Sequence, residues 1–137
     1  MYTARISSMG DPQTDARTRF PHILLVDDDV SLLDALTRAL TNDGTQEVTA
    51  CGTFEEGRRR LREQTFDVLM TDVRLGAFNG LQLAVLAKDV NPLMQLIVFS
   101  GFDDDVLRAE TEHLGGVYLV KPVTIAQLQA LMSSYRH

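Results

Sequence analysis

Three aspartates in succession, Asp27-Asp28-Asp29, follow the apolar run Ile23-Leu24-Leu25-Val26, and three more polar clusters each follow another apolar run. Thr71-Asp72 comes after Phe66 to Met70, Ser100-Gly101 after Gln95 to Phe99, and Lys121-Pro122 after Val117 to Val120. Acids gathered at one rim repel: two unit charges ~4 Å apart cost about 4 kcal/mol at an effective dielectric of 20. Something cationic must compensate. Mg²⁺ suits the task because it takes one or two carboxylates, keeps waters and completes its octahedron with substrate phosphate; Lys121 adds a second positive charge. Taken singly, each cluster has an ordinary reading: a solvated turn for Asp27 to Asp29, a loop acid for Asp72, a turn residue for Ser100, a surface lysine for Lys121. Asp29 caps the following helix in either case. Their joint placement, each just past a different strand, points to a site that handles phosphate.

The elements that must position these groups alternate along the chain. Ile23 to Val26 reads as a strand, and Leu32, Leu33, Leu36, Ala39 and Leu40 recur at helical spacing until Asn42-Asp43-Gly44 stops the pattern. Glu47 to Cys51 is a weaker second strand; Thr53 to Glu56 has the form of a capping box before a helix ending near Gln64. Phe66 to Met70 is the third strand, Leu81 to Ala87 lies on a helix ending before Asn91-Pro92, and Gln95 to Phe99 is the fourth strand. Val106 to Leu114 is a short helix stopped by Gly115-Gly116, Val117 to Val120 the fifth strand, and Thr124 caps a last helix with Ile125, Leu128, Leu131, Met132 and Tyr135 on one face. Continuous apolar strands alternating with helices predict a parallel sheet covered on both faces, an α/β fold. Ligands of such open sheets sit outside the carboxyl ends of the strands, where the four polar clusters fall.

Composition narrows the field. With 137 residues the chain has room for one domain, expected over residues 21–137 behind a flexible arm at 1–20. A net charge of -6 offers no basic stripe for direct nucleic-acid binding, and no stretch has the ~18 apolar residues of a membrane span. The single cysteine, Cys51, forms no internal disulfide and suits a reducing, cytoplasmic setting; it is expected to pack as a small apolar residue. Asp103-Asp104-Asp105 reads as the first turn of the fourth helix, Arg58, Arg59, Arg60 and Arg62 as a wet helix face. His22, His113 and His137 lack ligand spacing.

The segments HILLVDDDVSLLDAL, FDVLMTDVRLGAFNGLQL, LIVFSG and VYLVKPVT resemble the receiver domain of two-component response regulators, over residues 22 to about 135. The resemblance implies a flavodoxin-like (βα)5 three-layer sandwich with a five-stranded parallel sheet in the order 2-1-3-4-5. It implies a phosphoacceptor switch that assists its own phosphorylation and dephosphorylation, not an enzyme with turnover. Asp72 resembles the phosphoacceptor. Asp27 and Asp28, with Asp72 and the backbone carbonyl of Arg74, resemble the Mg²⁺ ligands, Ser100 the hydroxyl that meets the phosphoryl group, Lys121 the lysine that pairs with it, and Tyr118 the aromatic that reorients when Ser100 is engaged. The implied donor is a sensor histidine kinase or histidine phosphotransfer protein. Output is implied through the face of the fourth helix, fifth strand and fifth helix, to a protein partner, an effector domain outside this chain, or a phosphorylation-dependent homodimer, with no direct nucleic-acid binding expected of residues 21–137.

Two departures stand in the loop after Asp72: Gly76 where many relatives carry proline, and Asn79 before Gly80 where they often carry Asp. They leave the functional side chains in place and suggest a more mobile loop. The residues two past Asp72 and two past Ser100, which influence water attack on the phosphoryl group in this family, are Arg74 and Phe102; their bulk suggests slow self-dephosphorylation. Lys121-Pro122 is a candidate cis peptide, since at X-Pro cis costs only about 0.5–1 kcal/mol, with a trans turn as the alternative. Two other readings compete. A haloacid dehalogenase-type Mg²⁺ phosphatase would use the partly matching Asp27-Asp28-Asp29-Val30-Ser31 but leaves Asp72 unexplained, and a receiver-like scaffold without phosphorylation leaves the acids, hydroxyl and lysine without purpose.

Overall fold

A computed structural model describes residues 21–135 apart from Asp43; the expected arm at 1–20 and His137 lie outside the described residues. Strands and helices alternate as β1 (His22–Val26), α1 (Val30–Thr41), β2 (Glu47–Cys51), α2 (Phe54–Glu63), β3 (Val68–Asp72), β4 (Arg74–Leu75), β5 (Phe78–Asn79), α3 (Leu81–Val90), β6 (Gln95–Ser100), α4 (Asp105–His113), β7 (Val117–Val120) and α5 (Ile125–Tyr135). The main sheet runs β2-β1-β3-β6-β7, all parallel. With the short β4-β5 pair set aside, this is the 2-1-3-4-5 order that the resemblance implied.

Alternate side chains of each central strand serve opposite layers, as a sheet buried on both faces requires. Ile23 and Leu25 of β1 join Val68, Met70, Ile97 and Phe99 in a cluster with Leu33, Leu36 and Leu40 of α1 and Leu128 and Met132 of α5. Leu24 and Val26 point the other way, to Leu69 and Leu96 and to Leu61, Leu83, Ala84 and Ala87 of α2 and α3. A third cluster, Val73, Leu81, Val98 and Tyr118 with Leu107 and Val120 against it, seats α4. Among the described residues no helix is long and apolar enough to cross a membrane.

The third strand lies two residues later than its apolar run suggests, Val68–Asp72 in place of Phe66 to Met70. Backbone pairing causes the shift: β1 matches Ile23 to Val68 through Val26 to Thr71, and β6 continues to Asp72 opposite Phe99. Ladder bonds do not consult the side chain, so two flanking strands carry the polar Thr71 and Asp72 into the sheet. The loop after Asp72 also differs from expectation, because Arg74–Leu75 and Phe78–Asn79 close into a small antiparallel hairpin. Gly76 turns it at φ +63°, a conformation favourable for glycine and closed to proline.

The caps follow the sequence. Asp29 Oδ1 accepts from Leu32 N at 3.2 Å, Thr53 Oγ1 from Glu56 N at 3.1 Å, and Asp104 Oδ1 from Val106 N and Leu107 N at 2.9 and 3.0 Å. Cys51 is buried in the α2/α3 layer, where burial first and the Glu56 charge second push its thiol up to about 11. At about pH 8 roughly a thousandth of it is thiolate. The folded protein is therefore expected to resist a thiol-alkylating reagent that modifies Cys51 promptly in urea; modification at equal rates in both, followed by mass, would contradict this burial.

Candidate functional site

Four strand ends converge on one acidic rim. β1 delivers Asp27, fully buried, and the exposed Asp28; β3 ends on the buried Asp72; β6 ends on the buried Ser100; and β7 is followed by Lys121. The Lys121 ammonium bridges two of the acids, donating to Asp27 Oδ2 at 2.9 Å and to Asp72 Oδ2 at 3.2 Å. The other Asp27 oxygen accepts from the backbone N–H of Asp29 at 2.9 Å. Asp29 thus bonds twice, to Asp27 through its backbone and to the helix start through its side chain. The Lys121–Pro122 peptide is cis, and the Lys121 N–H donates to the Ser100 carbonyl at 2.7 Å, tying two strand ends together.

Charge is unbalanced there. Burial is the largest cause holding the Asp72 carboxyl above its usual range, and the neighbouring Asp27 charge adds to it; Lys121 and the Arg74 backbone N–H pull the other way. Burial disfavours the Lys121 ammonium, but its bond and attraction to Asp27, then Asp72, more than offset that and raise its pKa. One ammonium faces three carboxylates. Asp27, Asp28 and Asp72 each present an oxygen within 4.8 Å of the others, close to the ~4.2 Å that separates opposite corners of an octahedron at Mg–O distances of about 2.1 Å. Hard oxygen donors, excess negative charge and this spacing fit a divalent cation.

Three features of the site are hard to see in the sequence. Gly80, at the start of α3, lies so close to Asp72 that a methyl built on it would overlap the Asp72 carbonyl oxygen and come within 2.9 Å of Thr71 Oγ1. Thr71 Oγ1 itself donates to that carbonyl at 2.9 Å. Second, the Phe102 backbone links Ser100 to Tyr118: its N–H donates to Ser100 Oγ at 3.1 Å and its carbonyl accepts from the Tyr118 hydroxyl at 2.6 Å. Third, two arginines sit over aromatic rings, Arg74 over Phe102 at 5.0 Å and Arg108 over Tyr118 at 4.8 Å. Arg74, Phe102, Ser100 and Tyr118 each stand out in the sequence, but it does not announce the link through the Phe102 backbone, the approach of Gly80 to Asp72, or Arg108 over Tyr118.

Comparison with known proteins agrees with the geometry. The transcriptional regulatory protein ZraR of Escherichia coli K12 is 31% identical over 120 residues, 80% of this chain and 25% of that protein. The DNA-binding transcriptional regulator NtrC of Klebsiella pneumoniae is 34% identical over 112 residues, covering 79% of this chain and 23% of its own length. The chain thus spans about a quarter of the length of these curated relatives. A receiver domain protein from Methanospirillum hungatei JF-1 superposes with a TM-score of 0.80 at 26% identity, over 86% of this chain and 94% of that one. The family profile described as response regulator receiver domain matches residues 23–133, a span that begins in β1, ends in α5 and encloses every group of the acidic rim, so the chain belongs to the response regulator receiver domain family.

Proposed function

We propose that Asp72 accepts a phosphoryl group from the phosphohistidine of a sensor histidine kinase or histidine phosphotransfer protein, and that Ser100 and Tyr118 convert its arrival into a change of surface. The observation that carries this reading is the Lys121 ammonium held 3.2 Å from Asp72 inside a carboxylate triad. A carboxylate oxygen of Asp72 attacks phosphorus; an O–P bond forms, the P–N bond to the donor imidazole breaks, and the imidazole nitrogen leaves with the electron pair and then takes a proton. Asp27, Asp28 and Asp72, with the Arg74 carbonyl, would hold Mg²⁺, which when bound would supply charge neutralisation for the phosphoryl oxygens. Lys121 pairs with one of those oxygens. Ser100 donates its hydroxyl proton to another while its lone pair keeps the bond from Phe102. The α4/β7/α5 face then meets a downstream protein, an effector domain or a second copy, in a cytoplasmic setting.

A phosphatase using Asp27 as nucleophile has little support, because Asp27 is fully buried and its two oxygens are engaged by Asp29 and Lys121. Incubation with acetyl phosphate and Mg²⁺ followed by intact mass tests the proposal. One added phosphoryl group is expected, retained in Asp29→Asn and lost in Asp72→Asn. An unlabelled native protein, a label surviving Asp72→Asn, or steady turnover of a phosphatase substrate would overturn it.

The phosphoryl group is expected to be long-lived. The Arg74 guanidinium, 5.0 Å above the Phe102 ring, joins the loop after Asp72 to the loop after Ser100 with two bulky side chains, narrowing the approach of an in-line water. Label should leave Arg74→Asn/Phe102→Glu about tenfold faster, a barrier change of about 1.4 kcal/mol. Loss that is no faster in the double variant refutes the obstruction.

A further inference from the structure

The rim groups are absorbed by the function proposed above, but one contact on α4 is not. Arg108 lies with its guanidinium 4.8 Å from the centre of the Tyr118 ring, and its Nη2 donates to Asp103 Oδ1 at 2.6 Å. That bond is the largest cause raising the Arg108 pKa; it outweighs desolvation, and the charges of Asp103 and Glu112 also favour the cation. Tyr118 is nearly sealed at 5% exposure, packed with Val73, Leu81 and Val98. Its hydroxyl reaches the Phe102 carbonyl, and the Phe102 N–H reaches Ser100. A side chain on α4 is therefore connected, through ring, carbonyl and amide, to the hydroxyl that ends β6, the strand paired with the one that ends on Asp72.

We infer that Arg108 is a positioning residue that clamps Tyr118 inward before any phosphoryl group arrives, so that this receiver rests biased toward the arrangement in which ring and Ser100 are linked. The clamp has three parts. Asp103, in the loop before α4, fixes the guanidinium in place; the guanidinium covers the ring face and attracts it through the π-system; and the covered ring keeps its hydroxyl on Phe102. An outward Tyr118 would lose the cation, the carbonyl and its apolar seat together. The consequence for Asp72 rests on the switch reading above, but the position of Tyr118 does not.

The experiment uses the whole chain labelled with 3-fluorotyrosine. Its ¹⁹F spectrum holds three tyrosines, Tyr2, Tyr118 and Tyr135, and Tyr118→Phe assigns the one of interest. Without phosphodonor, Tyr118 is expected as a single buried resonance with little solvent isotope shift. Arg108→Gln should move it toward the exposed position, lowering the inward-to-outward ratio about tenfold, the size expected for losing a partly buried cation–π contact. Arg108→Lys, which keeps the charge but not the planar fork, and Asp103→Asn should fall between. A Tyr118 resonance unmoved in Arg108→Gln, or already exposed in the native protein, overturns the clamp. Acetyl phosphate labelling of the same samples separates the two ideas: slower labelling of Arg108→Gln supports the coupling, whereas a native protein that takes no label refutes the phosphoacceptor reading while the resonance still decides the clamp.

Discussion

Gly80→Ala is expected to destabilise the domain by about 3 kcal/mol and to disturb Asp72 more than any other single methyl addition. The position has helical dihedrals, φ -61° and ψ -19°, so the requirement is space and not conformation. Its N–H donates to the Val73 carbonyl at 2.6 Å, holding the start of α3 against the end of β3, and an added methyl would overlap the Asp72 carbonyl oxygen. Either α3 withdraws, giving up Leu81 and Leu83 from their layers, or the strand end moves and takes the phosphoacceptor with it. Overpacking costs typically 1–3 kcal/mol and occasionally more, and here the obstacle is backbone, which cannot rotate aside. In a domain of ordinary stability that is a large fraction of the total and lowers the melting temperature by roughly 10 °C or more. Gly101→Ala is the control, because nothing lies within 4 Å of a methyl there. Equal urea midpoints for the two variants would show that the approach of α3 to Asp72 is not tight.

The same glycine marks where the sequence stops being informative. Periodicity finds the five β/α repeats because each strand must be apolar to be buried and each helix must show a stripe, constraints written residue by residue. The rim is legible for a related reason: carboxylates, hydroxyl and ammonium at successive strand ends are a pattern in one dimension before they are a site in three. Burial within the rim is another matter. Asp27 and Asp28 are adjacent and alike, yet one is fully buried against Lys121 and the other is exposed, a difference set by the alternating faces of β1 as it leaves the sheet. The shifted end of β3 and the hairpin at Arg74–Asn79 are decided by backbone partners far along the chain. Arg108 and Tyr118 meet only because α4 packs on β7; no spacing announces that contact.

Lys121→Met is expected to cost about 3–5 kcal/mol at neutral pH without divalent metal, because breaking a buried pair from one side leaves a buried charge uncompensated. Asp27 is that charge. Its contact with the ammonium, 2.9 Å, is shorter than that of Asp72, and it has no exposure through which water could compensate. The pH dependence identifies the cause. In the native protein Asp72 holds its proton more tightly folded than unfolded, so its contribution to stability grows as pH falls through the folded value and counts against the fold at neutral pH. Removing the lysine removes an influence that lowers the Asp72 pKa, so the variant should recover part of its loss as pH falls from neutral toward the ordinary carboxylate range. Lys121 behaves in the opposite sense: raised in the folded state, it contributes fully below the ordinary lysine value and is lost as pH climbs through its folded one. Native and variant curves should therefore draw closer on the acid side and meet as the lysine loses its proton. Two additions sharpen the result. Asp72→Asn in the Lys121→Met background should restore stability by removing one of two facing acids, a coupling readable by a double-mutant cycle. Mg²⁺ should stabilise Lys121→Met more than the native protein, since a triad without its ammonium binds the cation more tightly and binding to the folded state adds directly to stability. A variant that loses under about 1 kcal/mol, or whose loss is independent of pH and Mg²⁺, would mean that the lysine is not what lets the acids at this rim coexist.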